Sequence, residues 1–145
     1  ASFSACLLLV SMPAPVTAGS GASIALTLSG LRNHKGQVLV CVTSNAKAFP
    51  DCSKDAHAVR LVLKANAVTG ETIRVPLPAS GTYAISAVHD ENSNGKLDTT
   101  VMLPSEGFGF SRNPVIRFGP PKFKKASFAV GDASVAQTVK MKYML

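Results

Sequence analysis

Short runs in which apolar and polar residues alternate recur along this chain, and they decide its structural class. Ile24, Leu26 and Leu28 fall on one face of a first run. Val59, Leu61 and Leu63 alternate with Arg60 and Lys64, and Ile73, Val75 and Leu77 alternate about Arg74. A strand turns successive side chains to opposite faces, so a period of two marks a half-buried strand. Two other runs are apolar on both faces and are expected at the centre of a sheet. In one, Val38, Val40 and Val42 share a face while Leu39 and Cys41 share the other; the second is Tyr83 to Val88. Residues 127–130 form a short run, and Val139, Met141 and Tyr143, alternating with Lys140 and Lys142, form a last strand exposed on one side. Turn residues separate these runs at Arg32-Asn33-His34-Lys35-Gly36, at Thr69-Gly70 and at Pro78-Ala79-Ser80-Gly81. Apart from one turn of helix between Ser44 and Phe49, no segment carries a helical period. About seven strands joined by tight turns predict an all-β chain, a single antiparallel β-sandwich.

The first residues read differently. Ala5 to Met12 is an apolar run, followed by a Pro-containing stretch that ends Val16-Thr17-Ala18. That pattern fits a truncated signal peptide over residues 1–18, cleaved before Gly19, with the sandwich over 19–145. Phe3-Ser4-Ala5-Cys6 faintly resembles a lipoprotein box, but the apolar run follows the cysteine instead of preceding it. The run is too short to span a bilayer. The expectation is therefore a periplasmic or secreted protein, not a transmembrane one. Cleavage would remove Cys6 and leave Cys41 and Cys52, a pair that reads as a disulfide in an exported protein. Closing so small a loop contributes roughly 2–3 kcal/mol in the chain-entropy treatment.

Asp90-Glu91-Asn92-Ser93-Asn94-Gly95-Lys96-Leu97-Asp98 is the stretch with the clearest chemistry. Oxygen side chains stand at alternate positions, Asp90, Asn92 and Asn94, with a glycine and then Asp98 behind them. Loops that wrap calcium use this spacing. The candidate ligands are the side chains of Asp90, Asn92, Asn94 and Asp98 and the backbone carbonyl of Lys96, with Glu106 folding back as a further donor. The twelfth position is Val101, not a glutamate, so the loop is not an EF-hand. Two carboxylates imply weak affinity, roughly 0.1–1 mM, which would stabilise the fold by about 1.4 kcal/mol at millimolar calcium. The same residues also suit a plain turn, because Asn-Gly is a strong hairpin signal and Asx side chains satisfy turn backbones unaided. His89, alone at a strand end, reads as structural, not as a zinc ligand.

Charge is uneven in a chain whose formal net charge is +7. Beyond position 106 the one acid is Asp132, against Arg112, Arg117, Lys122, Lys124, Lys125, Lys140 and Lys142. Residues 102–128 also hold Phe108, Phe110, Phe118, Phe123 and Phe128, and read as a long loop pinned over one end of the sandwich. The bases among them, Arg112, Arg117, Lys122, Lys124 and Lys125, are candidate anion-binding residues. The partner class is an anionic envelope lipid or glycan, since export argues against nucleic acid. Gly107-Phe108-Gly109 lacks the strand and helix that frame a phosphate-binding loop.

Signatures of enzymes are missing: there is no Gly-x-Ser-x-Gly, no His-Glu-x-x-His and no Walker loop. The leading expectation is a non-enzymatic binding or structural module of the bacterial envelope, stabilised by calcium in one of the two readings of the loop. The alternative is a hydrolase using Asp90, Asp98 or His89 as acid or base.

Three blocks in order carry a resemblance: His89-Asp90-Glu91-Asn92-Ser93-Asn94-Gly95-Lys96-Leu97-Asp98, Glu106-Gly107-Phe108-Gly109-Phe110-Ser111, and Arg117-Phe118-Gly119-Pro120-Pro121. Gly30-Leu31-Arg32-Asn33, Lys35-Gly36 and Phe49-Pro50 agree with them. Over roughly residues 22–143 the chain resembles the bacterial family catalogued as domain of unknown function 2141. The resemblance implies an exported bacterial protein with a small transthyretin- or immunoglobulin-like sandwich, and it brings no catalytic residue, cofactor or disulfide with it.

Overall fold

The computed structural model describes residues 21–95, 99–100, 103–117 and 119–144. The expected signal segment lies outside them, as do Lys96, Asp98 and Phe118. Two sheets carry the fold. The first has three strands in the order β10-β1-β4, with β1 at Ser23–Ser29, β4 at Thr72–Pro76 and β10 at Ser134–Lys140. The second has the path β3-β2-β5-β8, from β2 at Gln37–Thr43, β3 at Val59–Lys64, β5 at Gly81–Asp90 and β8 at Gly107–Phe110. A short β9, Phe128–Val130, also pairs with β5, through Gly81 to Tyr83, while β8 pairs with Ser86 to His89. A small hairpin of β6 (Thr99–Thr100) and β7 (Leu103–Pro104) and two four-residue helices, α1 (Ala65–Val68) and α2 (Phe123–Ala126), complete the described elements.

The alternating faces expected from the sequence meet in one core. Ile24, Leu26, Leu28, Val75 and Val139 of the first sheet pack against Val38, Val40, Val42, Ile85 and Ala87 of the second. Burying each large aliphatic side chain is worth roughly 1.5–3 kcal/mol, so this shared layer holds the sheets together as a sandwich. The two runs that are apolar on both faces, β2 and β5, are both central. For β5 the reason is a second cluster on the outer face of the larger sheet. Ala84, Phe108, Phe110 and Ala126 are buried there beneath Phe49, Ile116 and Phe123. Phe49 meets Phe110 and Phe123 edge to face, at 5.8 and 6.0 Å between ring centroids.

Four expectations are corrected. The sandwich is not wholly antiparallel, because β10 runs parallel to β1 along its full length, Ser23 opposite Ser134 through Ser29 opposite Lys140. The last strand also starts earlier than expected and ends at Lys140. Met141 and Tyr143 lie beyond it, on a tail that crosses to the other sheet. There Lys142 exchanges two backbone hydrogen bonds with Phe108, at 3.0 and 2.7 Å. Third, residues 107–110 are a strand and not part of a loop. Glycine alternates with phenylalanine because a Cβ at Gly107 would run into the Tyr143 ring, and one at Gly109 would lie 2.6 Å from a Val139 methyl. Fourth, residues 46–50 form hydrogen-bonded turns instead of a turn of helix. Among the described residues, no helix is long and apolar enough to cross a membrane.

Candidate functional site

The Asp90 loop begins where β5 ends, and its described half is an Asx-type turn. Asp90 is fully buried. Its Oδ1 accepts the Asn94 N–H at 3.1 Å, and its Oδ2 accepts the Gly95 N–H at 2.7 Å and the Gln37 amide at 2.8 Å. Ser93 and Gly95 take left-handed backbone, φ 56° and 80°, which lets the chain curl back onto the carboxylate. The Asn92 side-chain oxygen accepts from the Asn94 N–H at 3.2 Å, and both asparagines are exposed. The turn therefore gives Asp90 two donors and β2 a third. The expected calcium set also runs through the Lys96 carbonyl and Asp98, outside the described residues. Glu106 is buried. In the β5–β8 register the last pair is His89 opposite Gly107, and Glu106 directly precedes that strand. Among the described residues, no three His, Cys, Asp or Glu side chains stand together as a metal cluster.

Beside this loop lies a polar knot the sequence only hinted at. His89 is fully buried at the end of the core. Its Nε2 lies 2.8 Å from the Lys35 carbonyl oxygen, which can only accept, so Nε2 carries the hydrogen. In the neutral ring this leaves Nδ1 to accept from the Tyr143 hydroxyl at 2.7 Å. The Tyr143 oxygen in turn accepts the Arg32 N–H at 3.1 Å. The Arg32 guanidinium stacks 4.6 Å from the Tyr143 ring centroid, pairs with Glu91 at 2.7 Å and donates to the Ser105 carbonyl at 3.3 Å. Asn33 donates to the other Glu91 oxygen at 3.3 Å. Burial alone would raise the Glu91 carboxyl, but the Arg32 and Asn33 hydrogen bonds and the Arg32 charge hold it below its ordinary 4.5. Burial raises the Tyr143 phenol above 10.0. Gly36 completes the knot: its φ is 67°, and a Cβ there would run into the carbonyl oxygens of Asp90 and Glu91. Both ring nitrogens of His89 are thus held by hydrogen bonds. Of this group the sequence marks only His89 for a role of its own, while Arg32, Asn33, Lys35, Gly36 and Glu91 read there as turn and loop residues. Arg32 and Tyr143 lie 111 positions apart, a separation no local spacing encodes.

The basic residues form the second candidate site. Ser111 is buried, its hydroxyl accepting the Ile85 N–H at 2.9 Å and donating to the Ala126 carbonyl. The chain then turns sharply at Arg112 and Asn113, both left-handed at φ 62° and 45°. Arg112 and Lys125 come together on a cleft of about 400 Å³ that is also lined by Pro114, Val115 and Pro121. Arg112 lends one N–H to the Ser127 carbonyl at 3.3 Å. Val115 is 79 % exposed, a large apolar side chain at the rim of a cationic cleft. Arg117, Lys122 and Lys124 are exposed on the same segment but do not line the cleft.

Cys41 and Cys52 are paired, as expected, with Cα atoms 6.2 Å apart, inside the range a disulfide spans.

Compared with known proteins, residues 26–138 match the family described as "Uncharacterized protein conserved in bacteria (DUF2141)". No curated protein and no solved structure matches the chain.

Proposed function

The chain belongs to that bacterial family, and on this premise we propose that it is a non-enzymatic binding module of the cell envelope that holds an anionic group in the Arg112–Lys125 cleft. The observation that carries the reading is the pairing of two cations with an apolar floor and an exposed valine at one opening. Among the described residues neither Arg112 nor Lys125 has a carboxylate partner, and a cation held without one beside apolar surface attracts anions from solution. A lipid phosphate with its adjoining acyl carbons fits both parts of that lining. The Cys41–Cys52 disulfide supports placement in an oxidising compartment outside the cytosol.

The test is co-sedimentation with vesicles of phosphatidylglycerol in phosphatidylcholine, with pure phosphatidylcholine as control and an acidic polysaccharide as a separate arm. Binding to the anionic vesicles should weaken as salt rises. An Arg112→Glu, Lys125→Glu double variant should lose it by about tenfold or more, at roughly 1 kcal/mol for each base near an anionic surface. Binding to the polysaccharide alone would move the ligand to a glycan. Salt-independent binding, or none in either arm, would sink the reading.

A second reading, calcium at the Asp90 loop, is favoured by one observation: Asp90, Asn92 and Asn94 share one tight turn, and buried Glu106 directly precedes β8, which pairs with the end of β5. Carboxylates of Asp90 and Glu106 brought beside Asn92 and Asn94 would suit a hard cation. Calcium should raise the melting temperature, chelator should reverse the rise, and Glu106→Gln should shrink it. No shift at millimolar calcium, with no heat of binding, rejects this reading.

A further inference from the structure

The molecule treats its sheet edges unequally. The outer edge of β10 is capped by a side chain: the Asn113 carboxamide donates to the Thr138 carbonyl at 2.9 Å and accepts the Lys140 N–H at 2.8 Å, as a neighbouring strand would. The outer edge of β8 is met by Lys142 of the C-terminal tail. β4 is short and ends on Pro76, which has no N–H to offer. β3 has none of these devices. It is six residues long, contains neither proline nor glycine, and stands at the end of the larger sheet. Among the described residues it pairs with β2 and with no other strand.

Its side chains say what would fit beside it. Leu61 and Leu63 turn toward the core. Arg60, Val62 and Lys64 turn to the other face, and Val62 is 66 % exposed. In register, Val62 lies next to Leu39, and Leu39 next to Val88, so an apolar row crosses three strands and stops at the open edge. A second copy of the chain fits poorly. The two-fold register that sets Val62 against Val62 sets Arg60 against Lys64, cation opposite cation.

We propose that the free edge of β3 is a docking edge for an extended acidic segment of another protein, added as a further strand beside Arg60, Val62 and Lys64. Carboxylates opposite Arg60 and Lys64 and an apolar residue opposite Val62 would continue the row and neutralise both bases. Arg60 lends one N–H to the Cys52 carbonyl and feels the charges of Asp51 and Asp55, so Lys64 is the base with no such neighbour among the described residues. Backbone hydrogen bonds supply affinity in this mode and alternate side chains supply the choice of partner. This surface is separate from the Arg112–Lys125 cleft, so either proposal stands or falls alone.

The probe is a fluorescein-labelled peptide, Ser-Glu-Thr-Val-Thr-Glu-Ser, whose palindromic order serves either strand direction. The control replaces both glutamates with lysine. By fluorescence anisotropy the acidic peptide should bind at least about tenfold more tightly than the control, since each opposed pair changes from attraction to repulsion. An Arg60→Glu, Lys64→Glu variant with an unchanged circular dichroism spectrum should reverse that preference. Hydrogen exchange on the unmodified protein should slow over 59–64 when the acidic peptide is bound, which keeps the test decisive if the variant fails to fold. Equal binding of the two peptides, no binding of the acidic one, or protection confined to other strands would overturn the proposal.

Discussion

Glu91 shows how one residue in this fold carries several jobs. Its carboxylate ties Arg32 and Asn33 to the end of β5, and Arg32 in turn holds Tyr143 and Ser105. Desolvation works against the charge, while the Arg32 and Asn33 bonds outweigh it and keep the group below 4.5. In acid the unfolded chain therefore binds a proton more readily than the folded one. The contribution of Glu91 is complete above about 4.5 and is lost as pH falls through its depressed value. Asp55, lowered by hydrogen bonds from Thr43 and the His57 N–H, acts in the same direction, so the measurement must be a difference. Urea unfolding of wild type and Glu91→Gln between pH 7 and pH 3 should show the wild-type advantage shrinking as pH falls. A constant gap would mean that the ion pair does not contribute.

At the scale of elements, the long segment 44–58 between β2 and β3 lies over the outer face of the larger sheet and delivers Phe49 to its aromatic cluster. Its anchors come from the sheet beneath. Cys41 is bonded to Cys52, Thr43 donates to Asp55 at 2.6 Å, Ser86 donates to the Pro50 carbonyl and Arg60 to the Cys52 carbonyl. Because a disulfide acts largely by restricting the unfolded chain, replacing both cysteines with alanine should cost about 2–3 kcal/mol. Equilibrium urea denaturation under oxidising conditions measures it, and an unchanged midpoint would assign the tethering to the hydrogen bonds alone. The opposite margin is closed by different means. The glycines of β8 let Tyr143 and Val139 approach, and the tail after β10 crosses from one sheet to the other.

Across the whole molecule, the period-two runs located most of the strands, both central ones and the faces that form the core, because side-chain alternation is a property of the local backbone. The cysteine pairing was legible once Cys6 was set aside with the expected leader, because the two that remain allow one pairing. β8 was not legible, since glycine gives no hydropathy signal and its purpose, room for a ring that lies 36 positions further on, exists only in the fold. Nor could spacing give the parallel return of β10 to β1 or the meeting of Arg112 with Lys125. The acidic loop and the basic segment were both visible as compositions, and the sequence alone determined that this chain forms a layered β structure with those two charged features. Tertiary structure decided what each feature sits beside, because register and strand order follow from burying both faces of β2 and β5 at once, a condition on the whole chain and not on any stretch of it.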